Sequence, residues 1–143
     1  TSLVAGRGFS AYARDLVAGE ALARRVRYLG WCGGERLESF YRHIDVLAIP
    51  SIYEPFGMVA LEAVSRGVPI VCAPTDGLVE ILGDAAVYAD DNSYASFCEA
   101  MQRWRAMAPE ALAAMTEHAH GRFRERFTDT IAAAHYRALF EAA

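Results

Sequence analysis

Short apolar runs alternate with segments of helical period along the first ninety residues, and this alternation admits few folds. The runs are Leu3 to Ala5, Val26 to Leu29, Val46 to Ile49, Pro69 to Ala73 and Ala86 to Ala89. Between them the spacing predicts helices at about 9–23, 35–43, 58–66 and, briefly, 78–82. A strand buried on both faces reads as a continuous apolar run, and Val46-Leu47-Ala48-Ile49 does so. The expected fold class is therefore α/β with a parallel sheet. Gly67 before Val68-Pro69 marks a helix stop, because Gly suits the left-handed position just past a helix and Pro cannot continue it.

After residue 92 the strand pattern ends and a helical C-terminal tail is expected. Asn92 or Ser93 can cap a helix to about Met107, and Pro109 suits the first turn of the next, to about Arg126. Thr128, with Asp129 in the first turn, can cap a last helix to Glu141, whose apolar face includes Ile131, Tyr136, Leu139 and Phe140. That tail is read either as a lid on the sheet or as an arm towards another domain. It also offers a surface for a homodimer.

Composition narrows the function. At 143 residues the chain is one domain's worth, and such a globule buries roughly 70% of its unfolded surface. With 54% hydrophobic and 22% charged residues, disorder is excluded. No apolar run approaches the roughly 18 residues of a membrane helix, so no transmembrane segment is expected. A net charge of −4 argues against nucleic acid as a partner. All 14 basic residues are Arg, which excludes a Schiff-base lysine or a phosphate-loop lysine within this segment. Cys32, Cys72 and Cys98 show no metal-ligand spacing and read as reduced thiols of a cytoplasmic protein.

Open parallel sheets bind ligands beyond the carboxyl ends of their strands. The most informative such junction is Pro50-Ser51-Ile52-Tyr53-Glu54-Pro55-Phe56-Gly57-Met58-Val59-Ala60-Leu61-Glu62-Ala63. Here a buried strand ends, a loop carries Glu54, Gly57 opens a helix, and Glu62 falls in its second turn. A helix N-terminus presents unpaired N–H groups and suits a phosphate, and Gly57 lets backbone approach a ligand closely. Carboxylates accept hydrogen bonds and suit hydroxyls. The arrangement matches a phosphate centre with hydroxyl-rich groups on either side, as in a sugar nucleotide. Two glutamates alone would more often be one acid in a polar loop and another on a solvated helix face.

The surrounding residues add a resemblance. Tyr53 to Ala63, with Gly67-Val68-Pro69-Ile70-Val71, resembles the E-x7-E motif of retaining GT-B glycosyltransferases of the group-1 family. Val26-Arg27-Tyr28-Leu29-Gly30, Asp45 to Ser51 and Gly77-Leu78-Val79-Glu80-Ile81-Leu82 resemble further segments of it, covering nearly the whole chain. The resemblance implies a Rossmann-like three-layer domain, the C-terminal, nucleotide-sugar-binding half of a longer enzyme. It implies that Glu54 contacts donor-sugar hydroxyls and serves as the catalytic-site acid. The amides of Phe56, Gly57 and Met58 would face the sugar and diphosphate, Glu62 the ribose, and Gly30 and Trp31 the base. Gly77 and Leu78 would lie nearby. The reaction implied is retaining transfer of a hexose from an NDP-sugar to an acceptor hydroxyl, with no cofactor and no metal. An N-terminal acceptor domain and the strand preceding Thr1 are expected to be missing, so that the fragment is inactive alone.

Two alternatives come from other classes: a non-catalytic nucleotide-sugar-binding module, and an α/β interaction domain of the flavodoxin or receiver type. A receiver would need clustered acids after its first strand and a switch lysine, which this sequence lacks. Gly6-Arg7-Gly8 lacks the third glycine of a dinucleotide fingerprint and reads as a tight turn. Asp76 and Val79 depart from the family's usual glycine and proline. His118 and His120, two apart on a helix, point to different faces and suit no shared metal. Arg122, Arg124 and Arg126 are expected to form a solvated basic helix end.

Overall fold

The computed structural model describes residues 2–5 and 24–141. The expected helix at 9–23 and the Gly6-Arg7-Gly8 turn lie outside the described residues. The chain divides into two compact units, Thr1–Ile44 and Asp45–Ala143.

In the first unit, strands β1 (Ser2–Ala5) and β2 (Val26–Gly30) pair in parallel. Ser2 lies opposite Val26 and Ala5 opposite Gly30, with the register shifting between Val4 and Ala5. Helix α1 (Glu35–Arg42) buries Phe40 and Tyr41, whose rings meet edge to face at 5.2 Å. Arg36 ties the helix to the strand by donating from Nη2 to the Leu29 carbonyl at 3.1 Å.

In the second unit, β3 (Leu47–Ile49), β4 (Ile70–Cys72) and β5 (Val87–Tyr88) form a parallel sheet in that order. The parallel α/β class expected from the sequence is thus present, with its strands distributed over two sheets. These three strands, β3 to β5, are shorter than their apolar runs, yet the ladder extends past them. Leu47 N–H donates to the Pro69 carbonyl at 2.9 Å, Ala73 N–H to Ile49 at 3.1 Å, and Ala89 N–H to Cys72 at 2.9 Å.

Five helices complete this unit: α2 (Met58–Val64), α3 (Asp76–Leu82), α4 (Tyr94–Ala106), α5 (Pro109–Arg126) and α6 (Asp129–Glu141). Side chains alternate across a strand, so neighbours on β4 serve opposite layers. Val71 joins Ala89 and Ala100 in a core that Phe97, Met101 and Trp104 of α4 cover. Ile70 and Cys72 point to the other face, where α2 packs on β4. Ile70, Val71, Cys72, Leu78, Leu82 and Val64 are the largest fully buried side chains.

The helix ends follow the sequence closely. Gly67 takes φ 68°, and the bonds Val68 N–H to Ala63 and Gly67 N–H to Val64 close a Schellman turn there. Of the two candidates for capping α4, Ser93 does so: its hydroxyl accepts from Ser96 N–H at 3.2 Å. Asp91 in turn accepts from Ser93 N–H at 2.7 Å, and hydrogen bonds from the Ser93 side chain first and its backbone second hold the Asp91 carboxyl below its ordinary value. Pro109 opens α5, and the Thr128 hydroxyl accepts from Ile131 N–H at 3.4 Å at the start of α6. No residue of α6 is buried, and Tyr136, Leu139 and Phe140 are exposed. Among the described residues no helix is long and apolar enough to cross a membrane.

Burial pushes the Cys72 thiol from an ordinary 9.0 up to about 12. The unfolded chain therefore releases this proton first as pH rises past 9, and the folded state loses stability from there upward. Replacing Cys72 by Ala removes that dependence. The gap between the urea midpoints of wild type and Cys72→Ala should narrow as pH is raised from about 8 to about 10.5. A constant gap over that range would contradict the assignment.

Candidate functional site

The loop after β3 is built around one hydrogen bond. Glu54 Oε1 accepts from the backbone N–H of Gly57 at 3.0 Å. Gly57 is the N-cap of α2 and has φ 96°, a left-handed conformation that favours glycine. A cap residue without a polar side chain cannot satisfy the helix's own start, and Glu54 supplies a carboxylate there from three residues upstream. An ionised carboxylate offers about four acceptor positions, so this bond fixes the group without exhausting it. Of the three amides that the family resemblance turns towards a ligand, that of Gly57 is engaged with Glu54.

Helix α3 braces the same loop from behind. A Cβ added at Gly77 would stand 2.5 Å from the Glu54 carbonyl oxygen and 2.8 Å from both Phe56 N and Pro55 C. Backbone rests on backbone at this point, and no other residue type fits. The next residue, Leu78, and Ile81 one turn further along close over Gly57, where an added Cβ would meet Leu78 Cδ2 at 2.9 Å and Ile81 Cδ1 at 3.3 Å. The helix begins at Asp76, two residues before the expected start, because Thr75 is its extended N-cap.

The other end of α3 corrects an expectation. Arg122 is not part of a solvated basic face: it reaches from α5 to donate from Nε to the Ile81 carbonyl and from Nη2 to that of Glu80, both at 3.3 Å. Its guanidinium lies against Gly83, where a Cβ would come within 2.7 Å of Cζ. The last carbonyls of a helix need donors, and Arg122 provides them. Arg124 and Arg126 remain exposed as expected.

Along α2, Ala60, Leu61, Ala63 and Val64 are buried, which places Met58 and Glu62, one turn apart, on the outer stripe. Glu62 is half-buried there, while Met58 and Phe56 are exposed. In the first unit, β2 ends at Gly30 with φ 70°. Trp31 follows at 59% exposure, its ring over Gly33. An exposed indole at a strand's carboxyl end is a flat surface on which a planar group can stack.

The second unit also holds a pocket that sequence reading missed. Its volume is about 440 Å³, and Ile52, Tyr53, Glu54, Pro55, Pro74, Thr75, Asp76 and Asn92 line it. Those residues follow the carboxyl ends of β3, β4 and β5, where an open parallel sheet binds its ligands. The strand-end rule applied to β4 and β5 would have found Thr75, Asp76 and Asn92.

His118 Nδ1 lies 3.5 Å from Asp84 Oδ1, and His120 stacks on Phe123 at 6.5 Å between centroids, so the two histidines serve different neighbours. Among the described residues no three His, Cys, Asp or Glu side chains gather as metal ligands.

A parallel α/β scaffold with an acid-flanked helix start at its strand ends is the class this geometry defines. The family model for glycosyl transferases group 1 matches residues 2–122, and the chain belongs to that family. A D-inositol 3-phosphate glycosyltransferase of Geodermatophilus obscurus is 34% identical over 131 residues, covering 90% of this chain and 29% of that protein. An O-antigen chain mannosyltransferase B of Escherichia coli is 45% identical over 67 residues, covering 47% and 18%. Among solved structures, sucrose-phosphate synthase from Thermosynechococcus elongatus superposes with a TM-score of 0.79 at 29% identity, over 99% of this chain and 39% of that one. The chain thus spans less than a third of these curated relatives and about two fifths of the solved structure.

Gly77→Ala forces the Glu54–Phe56 backbone aside. It should destabilise the protein by about 1–3 kcal/mol, as overpacking does, measured by urea unfolding. Gly121→Ala, at a helical position where an added Cβ meets nothing, is the matched control and should be neutral or mildly stabilising.

Proposed function

We propose that this chain is the donor-binding half of a retaining glycosyltransferase that moves a hexose from a nucleotide sugar to an acceptor hydroxyl. The observation that carries the reading is the Glu54 carboxylate fixed by the Gly57 amide at the start of α2, at the mouth of a strand-end pocket. A held carboxylate is preorganised to accept sugar hydroxyls without reorganising when a donor arrives. The amides of Phe56 and Met58 flank that point and suit the diphosphate, on whose bridging oxygen charge grows as the glycosidic bond breaks. Donors already in place stabilise that charge in the manner of an oxyanion hole.

Glu62, on the outer stripe of the same helix, accepts the ribose hydroxyls in this reading, and Gly30 and Trp31 receive the base. Stabilising the leaving diphosphate with the amides of the helix start needs no metal, and metal-independent transfer is part of the proposal. So is a second, acceptor-binding domain, consistent with the share of the relatives' length that this chain spans. The mannosyltransferase among the relatives supports a hexose as the transferred group.

Titration with UDP, GDP and ADP, followed by backbone amide NMR, tests the reading. One nucleotide should shift Gly30, Trp31 and the Phe56–Met58 amides at lower concentration than the other two. Glu62→Ala should weaken that nucleotide by roughly tenfold, the loss of charge-assisted hydrogen bonds. Glu54→Gln keeps an acceptor for the Gly57 amide. It should leave nucleotide affinity within about twofold while lowering turnover of the nucleotide sugar. Equal loss of nucleotide affinity from both substitutions would remove the division of roles. Tight donor binding with no transfer in the presence of the acceptor domain would favour a non-catalytic module.

A further inference from the structure

Helix α5 packs against both α2 and α3, the two helices whose first turns meet the Glu54 loop. Two of its side chains, one turn apart on the same face, reach the far end of α3. Arg122 donates from Nε to the Ile81 carbonyl and from Nη2 to the Glu80 carbonyl, both at 3.3 Å. His118 Nδ1 stands 3.5 Å from Asp84 Oδ1, just past the helix end. Gly83, at φ 59°, leaves room for the guanidinium: an added Cβ there would meet Arg122 Cζ at 2.7 Å. Helix α3 is thus gripped by α5 at one end and bears on the Glu54 loop at the other.

We propose that Arg122 is a positioning residue for the Glu54 carboxylate and acts on it through α3. The inference rests on Glu54 serving the donor sugar as described above, and adds what seats it from outside the site. Ile81 is the link: its carbonyl accepts from Arg122, and its Cδ1 closes over Gly57, whose amide fixes Glu54. Four residues earlier, Gly77 bears on the Glu54 carbonyl and the Phe56 nitrogen with no side chain between. The seven residues of α3 span about 10 Å of helix and move as one piece. A long side chain could absorb a small displacement by changing rotamer, whereas backbone on backbone passes it to the loop. Leu78 and Leu82 are fully buried, and the Tyr88 hydroxyl donates to the Leu78 carbonyl at 3.4 Å. The helix therefore stays in the core when Arg122 is removed, and what it loses is its seating against the loop.

The Gly57 amide proton reports the seating of Glu54 in the folded chain without any ligand, because losing a charge-assisted acceptor moves it upfield. Glu54→Ala marks where that proton resonates with the bond gone. Arg122→Ala should move it towards that position. Arg122→Lys, which keeps the charge and the stem but not the fork, should move it in the same direction. Two controls should leave it in place. Arg124→Ala removes an exposed arginine of the same helix, and Met101→Ala lowers stability from the Val71 core that α4 covers. UDP, GDP and ADP and their glucose derivatives are then titrated into Arg122→Ala. Nucleotide affinity should stay within about twofold, while the nucleotide sugar should bind roughly fivefold more weakly, the size of a coupling carried through packed elements.

A Gly57 proton unmoved in both Arg122 variants overturns the proposal. An equal displacement in Met101→Ala does so too, since it would mark lost stability and not seating. Nucleotide and nucleotide sugar weakened alike by Arg122→Ala also overturn it, because the effect would then not pass through Glu54. A displaced Gly57 proton in a chain that binds none of the nucleotides supports the positioning of Glu54 and sinks the donor reading alone. Nucleotide binding at Phe56–Met58, with the Gly57 proton indifferent to residue 122, sinks the positioning alone.

Discussion

The contact of Gly77 with the backbone of the Glu54–Phe56 loop is the constraint on which the second unit's site depends. Two chain segments meet there without intervening side chains, so the loop's path is set by the position of α3 rather than by its own sequence. From that fixed path Glu54 reaches the amide of Gly57, and Gly57 can hold its left-handed turn beneath Leu78 and Ile81. The carboxylate, the helix start and the pocket wall are consequences of one close approach. A loop carrying the same residues but unbraced would keep the chemistry and lose its placement.

Much of this was legible from residue order. The apolar run at β4 located a strand covered on both faces, with no polar side to show. The runs at β1, β2, β3 and β5 marked strands that stay partly exposed, as at Ala48 of β3. Gly67 announced the end of α2 through a conformation that other residues reach at a cost, and Thr128 and Pro109 marked helix starts by their hydrogen-bonding chemistry. Glu54, Gly57 and Glu62 stood out because their spacing puts two acids around a helix start. The choice between Asn92 and Ser93 as cap stayed open in the sequence because both offer a side-chain oxygen. Only the geometry of Ser96 N–H distinguishes them.

What sequence order did not reveal depends on contacts between distant segments. Arg122 reads as one of three similar arginines on a helix end, and nothing local says that it alone meets the carbonyls of Glu80 and Ile81. The strand-end pocket draws on residues following three different strands, so no single stretch announces it. The buried hydroxyl of Thr75, which has no hydrogen-bond partner among the described residues, is likewise a property of its surroundings: the same residue at an exposed helix start would be an ordinary cap. The pairing of strands into two sheets also lies beyond periodicity, which identifies strands and not their neighbours.

The bonds from Arg122 have a further consequence for how the protein is made. They join residues 41 and 42 positions apart, so the span from α3 to α5 must close before the last turn of α3 is capped. Synthesis runs from the N-terminus, and the E-x7-E segment emerges long before its remote anchor does. A nascent chain that has not yet exposed residue 122 carries the full motif without this clamp. The site's maturation is tied to the docking of a helix that contributes no residue to the pocket itself.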